Sequence, residues 1–221
     1  MKNIILLITF LSFNFFAFSQ VELNKDPEAK KILDAVTKKI ESYNTLRFKF
    51  EYTIDNRQND FKETHKGYAF LKGNSYKIII PETEIFSDGK TVWTYMKKSN
   101  EITITEPDPK EQSIFNPAKL FTLYKEGFKY LLIGEEIIDN VKYKVIDLFP
   151  EKTAESQYSK IRIKINSNKN EIYAIETYGK SGVNSYLTIK STDYNIKIVD
   201  DLFTFNENKY PENIEIIDMR F

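Results

Sequence analysis

The sequence predicts a mainly β protein with a few helices, its eleven or twelve antiparallel strands forming a meander, a barrel or a strongly curved open sheet. Three observations carry this reading. From Leu46 onward, apolar and polar residues alternate with period two in one segment after another. The connections are short and rich in Asn, Asp, Gly and Ser, as in Asn166-Ser167-Asn168-Lys169-Asn170 and Gly179-Lys180-Ser181-Gly182. Only two stretches, 27–43 and 117–125, have helical spacing.

The first segment is expected to lie outside the fold. Lys2 precedes an apolar run from Ile4 to Phe18, and Ala17-Phe18-Ser19 has the small-x-small form of a cleavage site. The run is shorter than the ~20 residues of a membrane span. Residues 1–19 therefore read as a signal peptide and 20–221 as one mature domain, soluble in an extracytoplasmic space. No cysteine is present, which removes an acceptor for an N-terminal lipid, thiol chemistry and thiolate metal sites. Stability must come from the core, and a mature chain of this length is large enough for one. With 32 basic and 32 acidic residues the formal charge is zero. That balance gives no electrostatic reason to expect nucleic acid as a partner.

The elements follow in order. Asp26-Pro27-Glu28 opens a helix: Asp26 caps free amides, Pro27 suits the first helical position, and Glu28 favours the positive end of the dipole. Ala29, Ile32, Leu33, Val36, Ile40 and Tyr43 share one face of it. The sheet starts with Leu46, Phe48, Phe50, Tyr52 and Ile54, which alternate with Arg47, Lys49, Glu51 and Thr53. Strands are expected at 62–72, 75–80, 84–87, 91–96 and 100–105, then at 129–137, 141–149, 158–166, 171–178, 183–197 and 213–220. Between two of them, Asp88-Gly89 supplies the positive φ of a tight two-residue hairpin turn leading to Trp93 and Tyr95. Glu106-Pro107-Asp108-Pro109 ends a strand, because proline cannot join a ladder. Asn116-Pro117 then repeats the cap-plus-proline start; Ala118, Leu120, Phe121, Leu123 and Tyr124 follow, and Gly127 stops the helix. No repeat or linker divides the chain.

Side chains suited to catalysis are scarce. The single histidine, His65, shares a strand face with Glu63 but has no nucleophile motif nearby. Glu135-Glu136 and Asp200-Asp201 read as solvated edge or turn charges rather than a glycosidase pair. No glycine-rich phosphate loop and no metal-ligand spacing occur, so neither an enzyme nor a cofactor or metal site is expected. What remains is a large apolar face with two helices to cover it. It is either an ordinary packed core or a lined cavity under a helical lid, suited to acyl chains.

Several residues now carry a resemblance. Lys72-Gly73-Asn74-Ser75-Tyr76-Lys77-Ile78-Ile79-Ile80 is followed by Phe86-Ser87-Asp88-Gly89-Lys90-Thr91-Val92-Trp93-Thr94-Tyr95, the Asn116-Pro117 helix and Phe203-Thr204-Phe205. Over the whole mature chain this resembles the periplasmic outer-membrane lipoprotein carrier family, LolA. The resemblance implies an unclosed antiparallel β-barrel of about eleven strands under a helical lid. It implies a monomeric periplasmic carrier that shuttles acylated lipoproteins from the inner to the outer membrane. Its partners would be an inner-membrane lipoprotein-release transporter and an outer-membrane acceptor, which need not be present. The alternative is an extracytoplasmic binding protein for another lipid or small apolar ligand. Candidate cavity residues are Phe48, Phe50, Tyr76, Ile78, Ile80, Phe86 and Trp93. Candidate lid residues are Leu33, Val36, Leu120, Phe121 and Leu123. Lys72-Gly73 stands where the family has Arg-Pro, so Lys72 is the candidate lid latch; it keeps the charge without the planar fork of donors.

Overall fold

The computed structural model describes residues 25–108 and 116–220. The expected signal peptide, 1–19, lies outside the described residues. Helix α1 spans Pro27–Glu41. Asp26 Oδ1 accepts from the Glu28 and Ala29 amides (2.8 and 3.3 Å), and Ala29, Leu33, Val36 and Thr37 are buried along one face. Tyr43, expected on the helix, falls just beyond its end.

Twelve strands follow: β1 Leu46–Asn56, β2 Phe61–Lys72, β3 Ser75–Ile80, β4 Thr83–Ser87, β5 Val92–Met96, β6 Glu101–Thr105, β7 Phe128–Ile138, β8 Val141–Pro150, β9 Tyr158–Asn166, β10 Glu171–Gly179, β11 Val183–Tyr194 and β12 Glu215–Asp218. They form one sheet in the order β12-β6-β5-β4-β3-β2-β1-β11-β10-β9-β8-β7. Two meanders thus meet where β1 pairs with β11, and the outer strands β12 and β7 do not pair with each other. This is an unclosed barrel. Register shifts at Lys49/Phe50, Leu132/Gly134 and Ile172/Ala174 mark irregularities of the kind that bend a sheet.

One strand departs from the antiparallel expectation. β12 runs parallel to β6, with Ile216 opposite Ile102. A parallel partner requires a long crossover. The segment between β11 and β12 provides it, with 3-10 turns at Asp200–Leu202 and Glu207–Lys209. The loop after β4 is also longer than a two-residue turn. Ser87 pairs with Val92, which leaves Asp88–Thr91 as the loop. Asp88 Oδ1 accepts from the Lys90 and Thr91 amides at 2.8 Å, and Gly89 alone in this loop has positive φ (90°).

The register fixes two faces. On the inner one, Leu46 and Phe48 of β1 stand opposite Leu71 and Ala69 of β2, which stand opposite Tyr76 and Ile78 of β3. In the other meander Ile146 and Leu148 meet Ile163 and Ile161, and Ile163 meets Ile175. These residues, α1 and Leu120, Phe121 and Tyr124 form one apolar cluster. The core therefore lies between the sheet and the helices that cover it.

Candidate functional site

The cover has two parts. α1 is fastened at both ends. At its start the Asp26 amide donates to the Tyr130 carbonyl and the Leu132 amide donates to Asp26 Oδ2, each at 3.1 Å, so the helix cap also grips edge strand β7. The Leu132 amide, with the Ala29 and Glu28 amides, holds the Asp26 carboxyl below its ordinary pKa despite partial burial. In the last turn Lys39 Nζ pairs with Glu171 Oε1 (2.8 Å) and donates to the Lys169 carbonyl (2.7 Å).

The second part is shorter than the helix expected over 117–125. Helix α2 spans only Pro117–Leu120, capped by Asn116, and a separate 3-10 turn covers Leu123–Lys125. The Phe121 carbonyl accepts the Thr37 hydroxyl of α1 (2.6 Å), while the Lys125 amide donates to the Thr122 carbonyl (2.9 Å). That exchange stops the helical ladder at Phe121. The Tyr124 hydroxyl donates to Asp34 Oδ1 (2.6 Å), and Thr37 Oγ1 lies 3.3 Å from the Tyr124 hydroxyl. Burial and the neighbouring Asp34 carboxylate push the Tyr124 hydroxyl up to about 12. Lys30, 2.6 Å away, and then the Tyr124 hydroxyl hold Asp34 below its ordinary range.

A cavity of about 580 Å³ lies among the end of α1, α2 and residues of β1 to β4. Ile40, Leu46, Leu71, Tyr76 and Phe121 contribute apolar surface; Glu41, Asn44, Asn74, Asn116 and Lys119 contribute polar groups. Ser87 and Gly89 of the β4–β5 connection also border it. Its volume falls within the range of about 300–1,000 Å³ typical of small-molecule sites. Among the described residues no group of three or more His, Asp or Glu could hold a metal ion.

The candidate residues separate into three groups. Tyr76 and Phe121 border the cavity. Phe48, Phe50, Ile78, Leu33, Val36 and Leu120 are buried in the inner cluster, with Ile80 and Leu123 packed against it. Phe86 and Trp93 are on the other face. Phe86 stands opposite Lys77 and Trp93 opposite Phe86, whereas Tyr76 stands opposite Ser87. The Pro81-Glu82 turn pairs Ile80 with Thr83, so the inward positions are even-numbered in β3 and odd-numbered in β4, and Trp93 of β5 follows Phe86 to the outer face. Phe86 instead stacks on Trp93 (5.5 Å between centroids) beneath Tyr210, in a second cluster completed by Tyr95, Ile102, Phe205 and Ile214. The C-terminal segment covers this outer cluster.

Lys72 does not reach a covering helix; its ammonium pairs with Asp200 at the start of the C-terminal crossover. Polar contacts joining α1 to the α2 segment come from Asp34 and Thr37 with Phe121 and Tyr124, and from Glu41 with Lys125 (3.4 Å); sequence reasoning missed them. A signal was present: Thr37 continues the Ala29, Leu33 spacing, placing a hydroxyl on the buried stripe. His65 Nε2 lies 3.3 Å from Glu63 Oε1, and His65 stands opposite Tyr52.

Fold and site define a helix-capped, unclosed β-barrel with an apolar inner face and a cavity beside its second cover. The family model described as outer membrane lipoprotein carrier protein LolA matches residues 23–145, and the chain belongs to this family. It is 26% identical over 206 residues to the uncharacterised protein MJ0687 of Methanocaldococcus jannaschii, covering 92% of this chain and 58% of that protein's length. An uncharacterised conserved protein from Thermus thermophilus shares the fold, with TM-score 0.58 and 12% identity over 86% of this chain and 99% of that one. A LolA superfamily protein from Nitrosomonas europaea matches with TM-score 0.44 and 16% identity over 80% and 97% of the two chains.

Proposed function

We propose that this protein is a periplasmic carrier that binds the acyl chains of lipoproteins between the sheet and its helical cover and moves them from the inner to the outer membrane. The observation that carries the reading is the apolar inner face, capped by α1 and α2 and opening into a cavity of about 580 Å³. Each buried methylene contributes ~0.8 kcal/mol, so acyl chains bind through area alone and need no reactive group. The packed resting state supports release as well as uptake. Cargo must displace Leu120 and Phe121 from contacts they already make, which lowers net affinity. Family membership supports an acylated lipoprotein as cargo, handed on by a release transporter and received by an outer-membrane acceptor.

The test is mass spectrometry of native protein purified from its source envelope, with and without in vitro loading by a triacylated lipoprotein. Recovery of acylated cargo supports the reading. Recovery of a different lipid selects the alternative, a binding protein for another apolar ligand. A chain that neither copurifies with lipid nor shields acyl groups from water rules out both. Tyr76→Glu should abolish loading because it places a charge against the cavity; Tyr76 is only 4% exposed, so the same change lowers the urea midpoint, and loading is compared under conditions where both proteins are folded.

A further inference from the structure

The inner face of the sheet changes character along its strands. From the cavity inward it is apolar: Leu46, Phe48 and Phe50 of β1 run beside Leu71 and Ala69 of β2, and Ile175 of β10 stands opposite Leu187 of β11. Further along, the inward row turns polar on four neighbouring strands. His65 of β2 stands opposite Tyr52 of β1, Ser185 of β11 opposite Ile54, and Thr177 of β10 opposite Ser185. Thr177 Oγ1 and Ser185 Oγ lie 2.6 Å apart, and the Tyr52 and Ser185 hydroxyls are hydrogen-bonded. The His65–Glu63 pair flanks them on the same face. Tyr52, Thr177 and Ser185 are each at most 8% exposed, so these hydroxyls are both buried and paired. The Tyr52 ring still belongs to the apolar cluster; its hydroxyl marks where that cluster ends.

We propose that this hydroxyl belt is a polar stop: Tyr52, Thr177 and Ser185 fix how deep an acyl chain enters and thereby set the chain length the protein prefers. This rests on the carrier reading for the class of ligand, an acyl chain, and adds its length. Leu46 borders the cavity, and Tyr52 lies six residues further along β1. At ~3.3 Å per residue that is about 20 Å, the extended length of roughly sixteen carbons. Up to that depth each methylene leaves water for apolar surface and tightens binding about fourfold. The next methylenes would have to part Thr177 from Ser185 and leave buried hydroxyls unpaired. They would also emerge beside the charged Glu63, where little apolar surface is available. The gain per methylene therefore ends at the belt.

The test is a chain-length series. Single-chain N-acylcysteines of about ten to about twenty-two carbons compete with a fluorescent acyl probe for the purified protein. Wild-type affinity should rise by up to about fourfold per methylene and level off near about sixteen carbons. Tyr52→Phe, Thr177→Val and Ser185→Ala together remove all three hydroxyls at nearly constant shape, a change that proteins tolerate better than the loss of one partner. In that variant the break should move out by about two to four carbons. Affinity for a chain of about twenty carbons should rise about tenfold, while chains shorter than the break change by less than about twofold. Ile175→Thr brings the polar row one inward position closer to the cavity and should pull the break in by about four to five carbons. All proteins are compared where urea titration shows them folded. A purely structural role for the hydroxyls would weaken every length alike and leave the break in place, which overturns the stop. So does a wild-type affinity that keeps rising past about twenty carbons. If no chain of any length binds, the carrier reading falls and takes the stop with it; binding without a length limit removes the stop alone.

Discussion

At Gly67 the sheet has no space for a side chain. A Cβ there would lie 2.6 Å from Phe50 Cζ and 2.6 Å from the Ile79 carbonyl oxygen. Gly67 stands opposite Phe50, so the missing side chain lets the Phe50 ring lie across β2 in the core. Gly67→Val should destabilise the fold by about 1–3 kcal/mol through overpacking, read as a lower urea midpoint with an unchanged slope. Asp26 carries a different load, since one carboxylate caps α1 and holds the Leu132 amide of β7. Asp26→Ala should cost about 1–2 kcal/mol near neutral pH, and Asp26→Asn less, because Asn is also a good cap. The Leu132 amide lowers the folded pKa below 3.8. The carboxylate's contribution is therefore complete above 3.8 and lost as pH falls through the folded value. The stability gap between wild type and Asp26→Ala should narrow in that acid range; a constant gap in pH-dependent urea titrations would show that capping charge is not the source. The capping role was legible in Asp26-Pro27-Glu28. The hook on β7 was not, because it joins residues 106 apart in sequence.

Among the elements, the energetic asymmetry of the cover follows from area. Exposing Leu120 and Phe121 costs about 1.5–3 kcal/mol each, and methylenes return ~0.8 each, so roughly four to eight methylenes offset the opening of α2. Displacing α1 would uncover Leu33 and Val36 and disturb Ile32 and Ile40 as well. The C-terminal crossover is a separate element with a separate readout. Trp93 is the only tryptophan, and it lies in the outer cluster with Phe86 and Tyr210 rather than in the cavity. Its fluorescence should stay constant while acyl probes load, and shift red when the crossover is loosened. Tyr210→Ala removes a ring that stacks on Phe86 (6.4 Å) and meets Tyr95 edge-on (4.8 Å). The expected cost is about 2–4 kcal/mol, with a red-shifted Trp93 emission in the folded protein. A ligand-dependent Trp93 signal in the wild type would instead couple this outer cluster to the cavity.

Across the whole molecule, local patterning carried far and long-range pairing did not. Period two located the strands and identified Leu46, Phe48, Phe50 and Tyr52 as one buried set, since a strand declares its own two faces. It did not say which set faces inward in the next strand, and the parity change at Pro81-Glu82 moved Phe86 and Trp93 outward. Nor could spacing reveal that β1 pairs with β11 or that β12 runs parallel to β6. The same two-faced sheet separates cargo binding from acid stability. Asp147, only 3% exposed, stands opposite Arg162 on the outer face, where Arg162 (2.7 and 2.9 Å) and Lys160 (3.1 Å) contact it. Burial alone would raise the Asp147 carboxyl, but these two cations outweigh it and the net direction is down. Glu84 is lowered in the same way by Lys77 and Lys97, and Glu171 by Lys39 and the Tyr194 hydroxyl. Their stabilisation is present above the unfolded values of 3.8 for Asp and 4.5 for Glu, and is lost as pH falls through the lower folded values. The melting temperature should thus be nearly level from neutral pH to about 5 and fall steeply below 4.5. Asp147→Asn leaves two cations facing a neutral group and should cost about 3–5 kcal/mol at neutral pH, with a shallower decline in acid. Because Asp147 lies on the face opposite the core and α2, loading an acyl probe should raise the melting temperature without moving the acid midpoint. A midpoint that shifts with loading would show that the outer charge network and the inner cavity are coupled.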